Sequence, residues 1–196
     1  MTTTNFWTDG SAEPKRNFRW LVSFNSTTTD GGANSVNGVL WFAKNVTSPS
    51  YNVTSVTHDF LDNKYYYPGR VEWQTISLTL VDPVSPDAVG FVNQLLTDTG
   101  YNIKKSDVAI GTAKTISKKG AIDAGLQNLQ IDIIDHEGKS LETWQLKNPF
   151  IESAKFGDLD YTNDDLRTVE LTIKYDWATC TIGGEQGTKF FSIETS

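Results

Sequence analysis

The chain has 196 residues, of which 38% are hydrophobic and 12% aromatic, so it is long enough to bury one sizeable core. Lysine and arginine total 17 against 24 aspartate and glutamate residues, and a net charge of -7 argues against a nucleic-acid-binding protein that holds phosphate through a basic surface. The single Cys180 excludes an internal disulfide framework. No basic segment precedes an apolar run near Met1, which predicts no signal peptide and assembly in a reducing cytosol.

The N-terminal part predicts an arm followed by two strands. Residues 1–17 are polar, contain Pro14 and show no hydrophobic period, which indicates an arm. Apolar and β-branched residues predict strands over 19–24 and 39–43. The segment 27–38 between them is rich in Thr, Asn and Gly, which is typical of a loop.

A projecting hairpin is predicted over residues 51–67. Both of its strands are rich in aromatic and β-branched residues, and Asp62-Asn63 supplies the turn. Pro68-Gly69 is expected to break the chain before a long strand over 71–81. In that strand one face is apolar and consists of Ile76, Leu78 and Leu80.

One helix is predicted over residues 86–99. Ser85 suits the N-cap, Pro86 suits the first helical position, and Gly100 suits the end. A single apolar stripe of helical period consists of Ala88, Phe91, Val92, Leu95 and Leu96. We therefore expect this helix to cover one side of a sheet.

The segment 101–120 is expected to be an exposed loop or irregular hairpin. It carries a lysine cluster that consists of Lys104, Lys105, Lys114, Lys118 and Lys119. Such a cluster is typical of a solvated loop, and the alternative is an outward surface that meets an acidic partner.

The C-terminal part predicts three more strands. They cover 129–135, 141–147 and 169–177, with a turn at 136–139 between the first two. In the last strand the apolar residues Val169, Leu171, Ile173, Tyr175 and Trp177 alternate with the polar residues Glu170, Thr172, Lys174 and Asp176. Residues beyond 178 are expected to be a tail that docks on another surface.

The motifs favour a structural role over catalysis. The polar strand faces carry no nucleophile, metal cluster or phosphate loop, so we expect no enzyme activity, cofactor or metal site. A carbohydrate-binding or hydrolytic β-protein remains the alternative, with Trp73, Trp144 and the acids Asp164 and Asp165. Adjacent residues of a strand point to opposite faces, so these two acids suit an acid and base pair poorly.

Several weak motifs occur together at residues 17–22, 67–80, 133–138, 144–150, 156–161 and 169–177. Among them are a Gly-Arg pair before an aromatic strand and an Asp-x-x-Gly turn in a late hairpin. The order of these motifs resembles that in the tail tube proteins of contractile-tailed bacteriophages. The resemblance extends over about residues 17–178, while the arm, the lysine-rich segment and the tail depart from it.

The resemblance implies a mainly β fold, with a two-sheet sandwich or β-barrel domain and one flanking α-helix. Its domain would cover 18–178, between an arm over 1–17 and a tail over 179–196. The chain would form hexameric rings that stack into a tube, and DNA would pass through the lumen during ejection. The alternative within this fold is a tube initiator, or a ring protein of a related contractile injection or secretion system.

The resemblance also implies three sets of surface residues. Lumen-facing candidates are Asp132, Glu170, Thr172 and Asp176, and the carboxylates of Asp132 and Glu170 would keep DNA from adhering. Inter-ring hairpin candidates are Tyr51, Asn52, Thr54, His58, Asp62 and Tyr65. Outer, sheath-facing candidates are Lys104, Lys105, Lys114, Lys118 and Lys119.

By the same resemblance the partners would be other copies of the chain, the tail sheath protein, the baseplate tube initiator, the tail terminator and the tape-measure protein. DNA would be only non-specific passing cargo, and we expect no membrane insertion. The protein would be made and assembled in the host cytoplasm and reside in the tail of the virion.

Overall fold

Alternating apolar residues build three antiparallel sheets in the part of the chain that the structure describes. This computed structural model describes residues 13–24, 38–39, 42–85, 87–101, 115–123, 129–162, 164–183 and 187–192. The strands are β1 (Trp20–Phe24), β2 (Gly38–Val39), β3 (Ala43–Val46), β4 (Tyr51–Phe60), β5 (Asn63–Trp73), β6 (Ile76–Val81), β7 (Gln130–Ile134), β8 (Ser140–Lys147), β9 (Phe150–Lys155), β10 (Thr168–Lys174), β11 (Trp177–Ile182) and β12 (Thr188–Phe190). The helices are α1 (Ala88–Asp98) and α2 (Lys118–Asp123).

The strand order separates two packed sheets from one hairpin. A six-stranded sheet has the order β12-β11-β8-β7-β1-β2, and a four-stranded sheet has the order β3-β6-β10-β9. Within the described residues, β4 and β5 pair only with each other. The expected fold class, mainly β with two packed sheets and a flanking helix, is therefore confirmed.

The two larger sheets share one apolar core. The four-stranded sheet contributes Ile76, Leu78, Leu80, Val169, Leu171 and Ile173, and the six-stranded sheet contributes Val22, Ile131, Leu146 and Ala178. Leu171 lies directly opposite Leu78 across β10 and β6, so the apolar faces of neighbouring strands are in register. Burial of each large side chain contributes about 1.5–3 kcal/mol. Because both apolar faces enter the same core, the polar faces of the two sheets point away from each other.

Helix α1 covers this core, as its apolar stripe predicts. Ala88, Phe91, Val92 and Leu95 are buried, whereas Leu96 is 40% exposed and lies at the margin of the stripe. The N-cap is Asp87 and not Ser85, because the Asp87 carboxylate accepts a hydrogen bond from the Val89 amide at 3.0 Å. Pro86 lies outside the described residues.

The C-terminal end of α1 is closed by Gly100. Its φ of +106° is accessible to glycine at little cost. The Gly100 amide donates to the Thr97 carbonyl at 3.0 Å, and the Tyr101 amide donates to the Leu96 carbonyl at 3.3 Å. These two bonds satisfy carbonyls that have no partner within the helix, so the helix ends where the sequence predicts.

The predicted break at Pro68-Gly69 is wrong, because β5 continues through both residues to Trp73. The pairing of β4 with β5 shifts between Val53 and Ser55, and Pro68 lies opposite Ser55 at this irregularity. A bulge lets proline sit in a strand that it would otherwise interrupt. The chain breaks instead at 74–75, so the strand predicted over 71–81 is divided between the hairpin and β6.

Two other predicted strands are also divided. The segment 169–177 separates at Tyr175 and Asp176 into β10 of the four-stranded sheet and β11 of the six-stranded sheet. β11 runs to Ile182, so residues 179–182 of the predicted tail lie in a sheet. The segment 39–43 contains the end of β2 and the start of β3, which lie in different sheets, and residues 40–41 lie outside the described ranges.

Within the lysine-rich segment 101–120, the structure describes residues 101 and 115–120. Helix α2 begins there at Lys118, where the sequence predicts a loop. Lys104, Lys105 and Lys114 lie outside the described residues. Neither described helix is both long and apolar enough to span a membrane.

Candidate assembly surfaces

The outward face of the six-stranded sheet is a polar wall. One cross-strand row consists of Leu21, Asp132, Thr143, Thr181 and Lys189, and the next consists of Ser23, Gln130, Gln145 and Thr179. Side chains directly opposite each other in a sheet share a face, so these rows form one surface on which hydroxyl and amide groups predominate. An open groove of about 700 Å³ lies along this surface.

Asp132 lies in this wall as part of a hydrogen-bond network. Its carboxylate accepts from Thr143 Oγ1 at 2.6 Å and from Ser140 Oγ at 3.2 Å. It also accepts from Gln130 Nε2 at 2.8 Å. These neutral donors orient the carboxylate within the plane of the wall and partly shield it.

The wall carries few charged side chains. Among the described residues that line the groove, Asp132 is the acidic one, and Lys147 and Lys189 are basic. The Lys147 ammonium donates to the Gln145 side chain at 2.6 Å. The described wall is therefore mostly neutral and polar, and the acidic net charge of the chain lies elsewhere.

The four residues predicted to share the lumen do not share one face. Glu170 and Thr172 lie on the outward face of β10, in the four-stranded sheet, while Asp132 lies on the outward face of the six-stranded sheet. The shared core lies between these faces, so a single wall cannot contain both Asp132 and Glu170. Asp176 lies between β10 and β11, outside both rows. Strand alternation alone could not reveal this, because it does not assign strands to sheets.

Asp176 instead belongs to a local site with α2. Its carboxylate lies 2.6 Å from Lys118 Nζ and accepts from Asn148 Nδ2 at 2.7 Å. Burial by itself would raise the pKa of Asp176, but the hydrogen bonds from Lys118 and Asn148 and the charge of Lys118 lower it on balance. Lys118, a predicted outer residue, therefore contacts a predicted lumen residue. Lys119 is exposed on the same helix.

The β4–β5 hairpin stands clear of the core, as predicted. Every residue from Tyr51 to Glu72 is exposed, and only Trp73 at the end of β5 is partly buried. Beyond the bulge, one face consists of Val56, His58, Phe60, Asn63, Tyr65 and Tyr67. The other face includes Thr57, Tyr66 and the Asp59–Lys64 ion pair at 3.9 Å. The hairpin is thus amphipathic, yet both faces are open to solvent.

The predicted hairpin residues occupy distinct places along it. Tyr51 and Asn52 lie at the base, opposite Trp73 and Glu72. Thr54 lies in the bulge, where its hydroxyl accepts from the Arg70 amide at 2.9 Å. His58 lies opposite Tyr65 on the apolar face, and Asp62 lies in the turn, after Leu61 with φ 52°.

An aromatic cluster at the hairpin base was not predicted. The Trp73 ring lies 5.3 Å from Tyr51, 5.6 Å from Phe191 and 5.9 Å from Tyr175, measured between centroids. Burial raises the pKa of Tyr175 to about 12, so its phenol stays protonated. Because Phe191 and Tyr51 are far apart in sequence, no local pattern indicates this contact.

Residues 13–19 of the chain fold back onto the domain. Glu13 pairs with Arg19 at 2.7 Å and approaches His136 at 3.7 Å, and Lys15 pairs with Glu142 of β8. Burial by itself would raise the pKa of Glu142, but hydrogen bonds from Lys15 and Trp144 lower it on balance. The C-terminal end of the predicted arm is therefore attached to the six-stranded sheet.

No family model matches this sequence, and a comparison with curated proteins finds no significant match. Comparison with solved structures, in contrast, finds clear similarity of fold. A chain in the cryo-EM structure of the anti-feeding prophage baseplate, described as 6-fold symmetrised, gives a TM-score of 0.61 at 14% identity, over 89% of this chain and 98% of that chain.

Two further solved structures extend the similarity. A chain in the structure of the anti-feeding prophage tube-terminating cap gives a TM-score of 0.59 at 14% identity, over 87% of this chain and 93% of that chain. A chain in the extended sheath-tube complex of the PVC extracellular contractile injection system gives a TM-score of 0.53 at 19% identity, over 86% of this chain and 92% of that chain. The expected resemblance is therefore confirmed at the level of fold: this chain has the fold of proteins in contractile injection particles.

Proposed function

We propose that this chain is a structural subunit of the tube of a contractile particle, in which copies form rings and the rings stack. The observation that carries the proposal is the β4–β5 hairpin, an amphipathic ribbon exposed on both faces. An isolated two-stranded hairpin is marginally stable in water, and its apolar face and open edges need a partner. Contact with a second copy supplies that partner in an assembly of identical subunits.

The polar wall of the six-stranded sheet lines the lumen in this proposal. Its rows of threonine and glutamine side chains offer hydrogen bonds to water, and its few charges include the hydrogen-bonded Asp132. A channel that conducts a long polymer must not hold it tightly, and a mostly neutral wall fits this need. Glu170 and Thr172, which face the other way, are then assigned to the outside of the tube.

In its more specific form the proposal is a bacteriophage tail tube of hexameric rings that conducts DNA during ejection. The 6-fold symmetrised baseplate that contains a chain of this fold supports the ring number. Sheath, tube initiator, tail terminator and tape-measure proteins are then the partners, with DNA as passing cargo. The chain is made and assembled in the host cytoplasm and resides in the virion tail.

A second candidate is a tube initiator, or a ring protein of an extracellular contractile injection system. Similarity to chains in baseplate and tube-cap structures of the anti-feeding prophage favours it. The two candidates differ in growth. A tube subunit adds to its own rings without limit, whereas an initiator forms one layer on which a different protein extends.

Negative-stain electron microscopy of the concentrated protein tests the proposal. We expect rings, and tubes that lengthen with protein concentration or time, with authentic baseplate complexes supplied as templates where rings do not form alone. Single rings that never lengthen, even on templates, support the initiator. A chain that stays monomeric at high concentration and does not extend baseplate complexes rejects both candidates.

A further inference from the structure

The C-terminal strand brings an aromatic side chain to the base of the hairpin. β12 pairs with β11, and Phe191 follows β12 directly. The Phe191 ring centroid lies 5.6 Å from that of Trp73, with the planes at 88°, and 5.8 Å from that of Tyr51, at 67°. These are the edge-to-face contacts that aromatic rings favour. Phe191 thus connects the six-stranded sheet to both strands of the hairpin.

The hairpin base is the place where the direction of the ribbon is set. The remaining hairpin residues are exposed, while Trp73 packs against the core and contacts buried Tyr175 at 5.9 Å between centroids. A ribbon attached at one end pivots about that end. Contacts that hold Tyr51 and Trp73 therefore fix where the hairpin tip points.

The backbone of Phe191 has a conformation that is unusual for a bulky residue. Its φ of 59° lies in the left-handed region, which bulky side chains avoid because Cβ crowds the backbone. Such conformations persist where surrounding contacts over-determine them. The adjacent Phe190 is exposed to a similar degree, 44% against 50% for Phe191, but it lies in β12 opposite Cys180, so it serves as a matched control.

We propose that Phe191 is a positioning residue that fixes the direction of the β4–β5 hairpin, and through it the contact between stacked subunits. The second half of this statement rests on the proposed tube function. The first half concerns the free chain and can be tested without assembly. The C-terminal segment then acts as a brace between the wall of the tube and the element that reaches the next ring.

Hydrogen exchange of the free chain, read by mass spectrometry, tests the brace. Phe191→Ala is expected to raise amide exchange at residues 51–53 and 71–73 about tenfold, because two ring contacts are lost. Phe190→Ala is expected to leave these rates within about twofold. Phe191→Tyr keeps the ring, and its partly exposed position leaves room for a hydroxyl, so it is expected to restore wild-type rates.

The exchange of β6 and β10 serves as the internal control for an intact core. If Phe191→Ala disturbs the core, Phe191→Leu replaces it and is judged by the same criterion. Unchanged hairpin exchange in a Phe191 variant with an intact core overturns the proposal. Hairpin exchange in Phe191→Tyr that is as fast as in Phe191→Ala also overturns it. Electron microscopy separates the two halves. Faster hairpin exchange together with loss of stacking in Phe191→Ala supports both halves of the proposal. If the wild-type chain builds no tubes, faster hairpin exchange in Phe191→Ala supports the brace, and the tube function is rejected.

Discussion

Lys118 Nζ lies 2.6 Å from the Asp176 carboxylate, and this pair attaches helix α2 to the turn between the two packed sheets. The resemblance had assigned Lys118 to the outside of a tube and Asp176 to its lumen. Their contact shows that both belong to one local site at the junction of β10 and β11. Asn148, at the end of β8, completes the site through its bond to the same carboxylate at 2.7 Å.

Loss of this pair should change the acid stability of the domain by a small amount. The pKa of Asp176 is lowered in the folded state, so its contribution is present above the unfolded pKa of about 3.9 and is lost as pH falls through the folded pKa. Because both side chains are at least a third exposed, the coupling is screened to less than about 1 kcal/mol. Asp176→Asn should therefore flatten the fall in melting temperature below pH 4.

A double-mutant cycle with Lys118→Gln isolates the coupling of this pair. Calorimetry at pH 7 should give a coupling free energy of less than about 1 kcal/mol, with stabilising sign. A coupling of several kcal/mol, or an acid profile of Asp176→Asn identical to that of wild type, would contradict this account of the site.

The two faces of the hairpin should differ in their effect on stacking. Tyr67 lies on the apolar face and Tyr66 on the other, and they are 56% and 68% exposed. Tyr67→Lys should prevent stacking, because a lysine in a buried apolar contact carries a large desolvation cost, whereas Tyr66→Lys should allow it. Electron microscopy and sedimentation measure the outcome. Equal behaviour of both variants would show that the apolar face is not the contact surface.

Removal of the outer hairpin should leave the domain folded. Residues 56–64 are exposed throughout and lie outside the shared core, so their deletion should keep a cooperative melt while stacking is lost. Calorimetry and electron microscopy give the two readouts. A vanished melting transition would mean that the hairpin is part of the fold and is not an attachment to it.

Gly69 should be required for the register of the hairpin. A Cβ at this position would lie 2.4 Å from Thr54 Oγ1 and 2.9 Å from the Thr54 carbonyl, closer than atoms pack. Gly69→Ala should therefore disturb the bulge and raise amide exchange around residues 53–55 and 68–71 severalfold, with little change in melting temperature. Lys64→Ala, which removes an exposed ion pair, is the control. Normal exchange in Gly69→Ala would contradict the tight approach of the two strands.

Helix α1 should tolerate change on one face only. Leu95 is 3% exposed, so Leu95→Asp places a charge in the core and should cost at least about 3 kcal/mol of unfolding free energy. Gln94 is exposed and bonds the Asp98 side chain at 2.9 Å, so Gln94→Lys keeps a favourable partner one turn away and should be nearly neutral. Urea denaturation measures both, and similar stabilities would refute the packing described for this helix.

Local structure follows from the sequence wherever neighbouring residues decide the outcome. The alternation of Val169, Leu171 and Ile173 defines a buried strand face, and the structure buries all three. Helix α1 and its end at Gly100 follow in the same way from short-range periodicity and backbone freedom. The hairpin itself also follows from the sequence, since a short turn at Asp62-Asn63 joins two runs rich in aromatic and β-branched residues.

The assignment of strands to sheets, and of polar faces to a common side, depends instead on how the chain folds. Asp132 and Glu170 have the same local pattern, but one lies in the six-stranded sheet and the other in the four-stranded sheet. The breaks at 74–75 and 175–176 contain no proline or glycine that would mark them in the sequence. At each break the chain passes from one sheet or hairpin to the next, and packing of the core fixes the bend. The contact of Phe191 with Tyr51 and Trp73 is likewise non-local. The energy of such contacts depends on residues brought together by folding, and a linear pattern of hydrophobicity does not contain that pairing.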